Sequence, residues 1–391
     1  MKAIKNILKK ILPTPFLKEA FLFYNKVKIS TVDKVLFPEY KIQTSEFLIY
    51  RKGFPFREAQ ININDLPENE VKSYMQTWKD WTQEEFILEF KKTCWIEPDY
   101  GWGIVKRNKL VYYSLGVSRT WFQNKPNFVK FLTKKDVMHI TQAISLRDSG
   151  EENYFHFYND VLGKLFFLQQ HNISVKTIPV IISKKLWDKE YFRFYFKNSA
   201  FLQSLQWIVQ DQQYIQTDSI FFAKPLTHRK DLWDEIISPF VSQRNIPQSR
   251  KIFLTRSKSR LRFIENDKEI EAICRKLEFT IIDTDNLPLE QQVEVFSGTG
   301  FLVGIHGAGL TNMVFRHGEC RVLELFPPPD AGYLPYHYIM LAKMLHFQYR
   351  ATIGAPGKVA YSGGFYLEPG KFEKGLLDFL DTASHPDPQV V

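Results

Sequence analysis

Between Lys251 and Phe326 the chain repeats one pattern four times: a short apolar run bounded by polar, Gly or Pro residues, then a helix-length stretch. The runs are Lys251–Thr255, Phe279–Ile282, Phe301–Ile305 and Val322–Phe326. An apolar run without alternation has no polar face to give to water, so such a strand needs cover on both sides. Asp267–Leu277, Leu289–Ser297, Leu310–Arg316 and, after the last strand, Pro335–Leu345 supply that cover. Four βα units in series predict an α/β fold with a parallel, doubly wound sheet.

The upstream half has a weaker rhythm. Residues 33–135 are aromatic-rich and irregular, apart from Trp102–Ser114, which reads as a hairpin with Arg107-Asn108-Lys109 at its turn. Val137–Leu146, Thr177–Ile182 and Ser219–Ala223 read as strands, and Tyr154–Gln170 and Tyr191–Val209 as helices. The polar stretch Ser238–Ser249, with two prolines, reads as a linker. A chain of 391 residues holds two domains, or three, at roughly 100–200 residues each. The expected parts are a basic segment over 1–30, an α/β domain over 31–240 and a second over 248–391.

Charge is unevenly spread. The net formal charge is +9, but residues 1–30 hold seven lysines against Glu19, so most of the excess lies there. The rest of the chain is nearly balanced, which disfavours a general nucleic-acid surface. Ile4, Ile7, Leu8, Ile11 and Leu12 form one helical face, with Lys2, Lys5, Lys9 and Lys10 mostly opposite and Pro13 and Pro15 ending the pattern. Such a helix suits an anionic membrane surface through residues 1–12, or docking on its own domain. Lysines interrupt every stretch that would serve as a signal-peptide core. No apolar run approaches the roughly 18–20 residues of a membrane span. Cys94, Cys274 and Cys320 are too few and scattered for a disulfide framework, so the chain reads as cytoplasmic and reduced, peripheral on the inner membrane if the basic helix attaches.

Three features point to chemistry. Phe301–Asn312 runs from an apolar strand into His306-Gly307-Ala308-Gly309 and straight on into a helical pattern. Small residues let a bound group approach the backbone, and N–H groups at a helix start favour an anion such as a diphosphate; without a ligand the segment is a tight strand-to-helix turn. Arg256, just past a strand end, would sit at the same sheet edge as His306, with Arg262 six residues on; guanidinium groups pair with phosphate oxygens. The other reading is a solvated basic loop of Arg256, Lys258, Arg260 and Arg262. Glu324 lies inside an apolar strand, where a carboxylate is costly without a partner; near the strand end it is placed to accept from ribose hydroxyls.

Arg256, Arg262-x-Ile264-x-Asn266, His306-Gly307-Ala308-Gly309-Leu310-Thr311-Asn312 and Val322-Leu323-Glu324-Leu325-x-Pro327, in this order, resemble glycosyltransferase family 61. That family takes in plant xylan arabinosyl- and xylosyltransferases, animal N-acetylglucosaminyltransferases and bacterial proteins of surface-polysaccharide loci. The resemblance covers about 150–330. It implies a GT-B architecture of two Rossmann-like domains facing across a cleft and an inverting reaction. It also implies a nucleotide-sugar donor, UDP-linked, held by the C-terminal domain through these residues. Asn153–Asp160 resembles the family's histidine-then-aspartate segment at a helix start. His156 and Asp160, four apart, would share one helical face. Asp160 is the candidate base for the acceptor hydroxyl, with His156 positioning the acceptor or acting as the base; the alternative is a pair that only stabilises its helix.

Asp283-Thr284-Asp285 has the D-x-D form of a metal-diphosphate site, but it leads into Asn286-Leu287-Pro288 and reads as a polar loop, so no metal cofactor is expected. The expected activity is sugar transfer to a glycan or lipid-linked glycan in capsular or lipopolysaccharide assembly. The competing expectation is an inactive relative that binds glycans or organises an assembly complex.

Overall fold

The computed structural model describes residues 33–55, 82–115, 125–240, 250–258, 262–329, 335–358 and 363–381. The basic segment 1–30, Arg260 and most of the linker, 241–249, lie outside the described residues. The chain forms two compact units. The first is built mainly from Glu85–Glu152 and Asp160–Pro225, the second from Asn153–Asn159 and Leu226 onward. The sequence placed the junction at Ser238–Ser249; the units part at Pro225/Leu226, and Asn153–Asn159 belongs with the second.

The first unit carries a nine-stranded mixed sheet. Its strands are β1 (Phe47–Pro55), β2 (Thr82–Phe90), β3 (Cys94–Ile96), β4 (Gly103–Val105), β5 (Lys109–Val111), β6 (Met138–Ser145), β7 (Val180–Ser183), β8 (Trp207–Gln210) and β9 (Ile215–Lys224). The order is β5-β4-β3-β9-β6-β7-β8, with β2 also on β9 and β1 on β2. Strands β9, β6, β7 and β8 run parallel, whereas β2 and β3 pair antiparallel with successive halves of the long β9. The hairpin is present as β4–β5, turning through Lys106–Asn108. Arg107 and Asn108 both take positive φ there, the geometry that matches strand twist in a tight hairpin.

Two sequence expectations change. Tyr191–Val209 is not one helix. The helical part is Glu190–Asn198, followed by a short Ala200–Gln203 turn and then β8, an edge strand whose Trp207 packs on Trp187 and Phe192. Tyr154–Gln170 is helical throughout but winds as α over Tyr154–His156, π over Phe157–Leu162 and α again over Gly163–Gln170.

The second unit contains the predicted parallel sheet, with one strand more than expected. Strands β10 (Arg250–Leu254), β12 (Thr280–Ile282), β13 (Thr299–Ile305), β14 (Arg321–Phe326) and β15 (Gln348–Ile353) lie in the order β12-β10-β13-β14-β15. All four pairings are parallel. Within this unit that order is 2-1-3-4-5, a doubly wound arrangement whose crevice opens at the carboxyl ends of the first and third strands. A small sheet, β11 (Phe263–Ile264), β17 (Gly364–Tyr366) and β16 (Ala355–Pro356), stands beside it. Helices α1 (Asp267–Lys276) and α4 (Pro369–Leu380) bury Ile270, Cys274, Phe372, Leu376 and Phe379 against Phe253, Val303, Ile305, Leu323 and Leu325. Helices α2 (Leu289–Ser297) and α3 (His337–Met344) also belong to this unit. The expected helix Leu310–Arg316 is a 3-10 helix, Ala308–Phe315. Among the described residues no helix is long and apolar enough to cross a membrane.

Candidate functional site

Register places the sequence candidates on one edge. Leu254 pairs with Gly304, Gly304 with Glu324, and Glu324 with Ala351, so β10, β13 and β14 end together and release Arg256, His306 and the end of β14 side by side. This is the crevice between the first and third strands of the order above, where ligands bind in open α/β sheets.

The turn after β13 is built on close approach. A Cβ at Gly307 would stand 2.2 Å from Arg256 Nη1, so only glycine lets that guanidinium lie on the backbone; Nη1 donates to the His306 carbonyl at 3.3 Å. A Cβ at Gly309 would meet Leu254 at 3.0 Å and the Thr284 hydroxyl at 3.1 Å. Ala308 and Gly309 are half-buried, so the turn presents backbone. Leu310 packs on Gly304, where a Cβ would meet its side chain at 2.7 Å, and it anchors the turn in the core. Thr311 and Asn312 are buried as well. Asn312 donates to Gln292 Oε1 and accepts from the Tyr154 hydroxyl, both at 2.8 Å.

His306 and Glu324 form a buried pair. His306 Nδ1 is 2.5 Å from Glu324 Oε1, and the Tyr349 hydroxyl donates to Oε2 at 2.5 Å. Glu324 is 0 % exposed, so both carboxylate oxygens are engaged beneath the surface. This corrects the expectation that Glu324 accepts from ribose: its partner is the histidine. The imidazole stacks on Phe326 at 5.0 Å and meets the Tyr338 ring edge-on at 5.3 Å. Tyr338 sits among all these charges. Burial, then Glu324, pushes its phenol up, against the pull of Thr311, Arg262 and Arg256, so it remains a neutral hydroxyl.

The Arg262-x-Ile264-x-Asn266 segment is β11 and its flanks. Ile264 is core, and Arg262 N–H donates to Gly363 O at 2.9 Å. Asn266 clamps the Leu367 backbone from both ends of its amide, at 2.8 and 3.2 Å, so its side chain fixes the strand. Arg262 takes φ +62°, uncommon for a residue with a Cβ. Its half-buried guanidinium makes no hydrogen bond or ion pair among the described residues. Asp283 accepts from Asp285 N–H at 3.0 Å and caps the 3-10 turn Thr284–Asn286, as a polar loop would.

His156 lies in the second unit. Its ring is 5.9 Å from that of His337, and the adjacent Phe155 packs on His337, Tyr338 and His228. Asp160 belongs to the first unit and is half-buried. Both stand in the segment whose winding changes from α to π, a local widening that recurs at functional sites.

Sequence reasoning missed Tyr338, Tyr349 and His337. Each lies outside the motif segments, and among 18 tyrosines no local signal marks two. The signal that was available was Glu324 itself: a carboxylate in an apolar strand demands donors.

No curated protein matches the chain. Residues 154–323 match the family model described as Glycosyltransferase 61, a span that takes in His156, Asp160, both arginines, the His306 turn and the first half of β14, ending just before Glu324. Over that span the chain is similar to the glycosyltransferase 61 family.

Proposed function

We propose that this protein is an inverting, metal-independent GT-B glycosyltransferase that moves a sugar from a UDP-linked donor to a glycan acceptor. The observation that carries the reading is Arg262, a half-buried cation without a described partner, which together with Arg256 acts on the phenol of Tyr338 beside His306. A buried-edge guanidinium needs an anion, and the departing nucleoside diphosphate is one. As the bond between the sugar's anomeric carbon and the diphosphate breaks, charge grows on the phosphate oxygen. Preset N–H donors stabilise that charge without reorganising. On the other side of the reaction Asp160 takes the acceptor hydroxyl's proton, with His156 placing the acceptor.

UDP, the inverting course and a role in capsular or lipopolysaccharide assembly follow from the family resemblance. A lipid-linked acceptor would explain a basic amphipathic segment over residues 1–12, bringing the enzyme to the cytoplasmic face of the membrane. A donor-hydrolysis screen over a panel of nucleotide sugars, in EDTA, tests the reading. Release of a nucleoside diphosphate from one donor is the expected result. Activity that returns only with a divalent ion would instead give Asp283 and Asp285 a metal to hold. Nucleotide binding without turnover of any donor would favour the inactive glycan-binding relative.

A further inference from the structure

We propose that Tyr154, Asn312 and Gln292 are positioning residues: a one-way chain of hydrogen bonds through them locks the turn of helix that bears His156 to the turn after β13. The proposal takes its reaction from the nucleotide-sugar reading, but the chain itself stands on hydrogen bonds within the second unit.

The direction of the chain is fixed from one end. The Gln292 amide, on α2, lies 3.0 Å from the Thr284 carbonyl oxygen and 2.7 Å from that of Leu287. Carbonyls only accept, so the end of the amide that faces them is the NH2 group, and Oε1 faces Asn312. Oε1 also only accepts, so Asn312 presents Nδ2 to it at 2.8 Å and turns Oδ1 toward Tyr154. The Tyr154 hydroxyl therefore donates, at 2.8 Å. Gln292 and Asn312 are buried, where a lost partner leaves a costly orphan, so the chain holds as a unit. Both ends of the Asn312 amide are engaged inside the protein, so this side chain braces the turn rather than reaching a ligand.

What the chain joins gives it a use. At one end Gln292 holds the carbonyl of the Thr284–Asn286 turn, whose Thr284 hydroxyl stands 3.1 Å from the place of a Cβ at Gly309, so this turn is a wall for the donor turn. In the middle Asn312 belongs to the 3-10 helix Ala308–Phe315 that carries the donor turn. At the far end Tyr154 opens the α turn Tyr154–His156, whose cap Asn153 accepts from the N–H groups of Phe155 and His156. The winding changes to π directly after His156. A continuous α-helix would set the orientation of its first turn; this turn takes it from its own anchors, and Tyr154 is the anchor on the donor turn. In the proposed reaction His156 places the acceptor and the donor turn places the diphosphate. The Tyr154 hydroxyl then sets how far the attacking oxygen stands from the anomeric carbon, where a misplacement of about 1 Å costs on the order of 10²-fold in rate.

The test is Tyr154→Phe in the full chain, which removes one hydroxyl and keeps the ring. Calorimetry with UDP counts the folded sites, and steady-state kinetics use the donor that the hydrolysis screen selects. The expected result is a fall of about 10–100-fold in kcat per UDP-binding site, with the UDP Kd within about twofold, because Gln292 and Asn312 still brace the donor turn. A merely structural role would lower stability and leave kcat per site at the wild-type value; that result, or an equal loss of UDP affinity, overturns the proposal. The second arm needs no turnover. Histidine labelling and NMR, with the signal assigned through His156→Gln, follow the far end of the chain while its near end is cut by Gln292→Met, or by Gln292→Leu if the first does not fold. The His156 signal should shift in the otherwise wild-type protein and stay in place when Tyr154→Phe has already cut the chain. An equal shift in both backgrounds, or none in either, overturns the proposal. If the shift is transmitted as expected but no donor is turned over, the nucleotide-sugar reading fails and the positioning role stands.

Discussion

At the carboxyl end of β6 in the first unit, charges are buried and closed on one another. Arg147, 0 % exposed, donates to Glu151, Gln210 and the carbonyls of Glu97 and Pro98. Lys164 donates to Asp148 at 2.6 Å and to Arg147 O at 2.9 Å. Glu97 takes backbone N–H groups from Asp99, Tyr100 and Trp102, and burial pushes its carboxyl up against the pull of Arg147. At the carboxyl edge of the second unit's sheet the arrangement is the opposite. Glu324 is satisfied from within, yet the Arg262 guanidinium ends in donors that no described residue accepts. Both regions place arginines at strand ends. A fully answered set of charges fixes a fold, whereas one left open on one side is set to meet an anion.

That contrast can be broken by mutation. The largest effect expected is on turnover: Asp160→Asn keeps the side chain's shape but cannot take a proton, and kcat should fall about 10²–10⁴-fold. Donor affinity should barely change, because the proposal assigns the diphosphate to Arg256, Arg262 and the His306–Asn312 turn. Steady-state kinetics with a turned-over acceptor would show it, and wild-type kcat in the variant would move the base to His156. Next is stability. Arg147→Ala leaves the buried Glu151 carboxylate without its cation and the Pro98 carbonyl without its donor, and losing one partner of a buried pair costs about 3–5 kcal/mol. Urea denaturation of this variant should show that loss, and a change below about 1 kcal/mol would remove the distinction between closed and open charge sets.

The same contrast explains what the sequence revealed. Strands β10, β12, β13 and β14 are continuous apolar runs and were legible as such. Their partner β15, Gln-Tyr-Arg-Ala-Thr-Ile, mixes polar and apolar residues, so the strand that brings Tyr349 to Glu324 was not foreseen. The His306–Asn312 turn was recognised from its small residues, but its winding as a 3-10 helix was not, because Leu310, Thr311 and Asn312 are held by tertiary contacts. Glu324 was correctly singled out as needing partners, and the error was to look for them in a ligand. The closed set around Arg147 gave no signal at all. Its members join residues up to 63 positions apart, and only the fold brings them together.

The central claim is that Arg262 and the turn beside it in the second unit bind a nucleoside diphosphate without a metal. Titration calorimetry of UDP in EDTA, wild type against Arg262→Ala, tests it most directly, with urea denaturation run beside it. Arg262 has no described protein partner to strand, so its removal should leave stability within about 0.5 kcal/mol. It should weaken UDP binding by about 1.5–3 kcal/mol, the scale of a hydrogen bond to a charged group. Wild-type protein that does not bind UDP in EDTA, or a folded Arg262→Ala variant that binds it unchanged, would contradict the account.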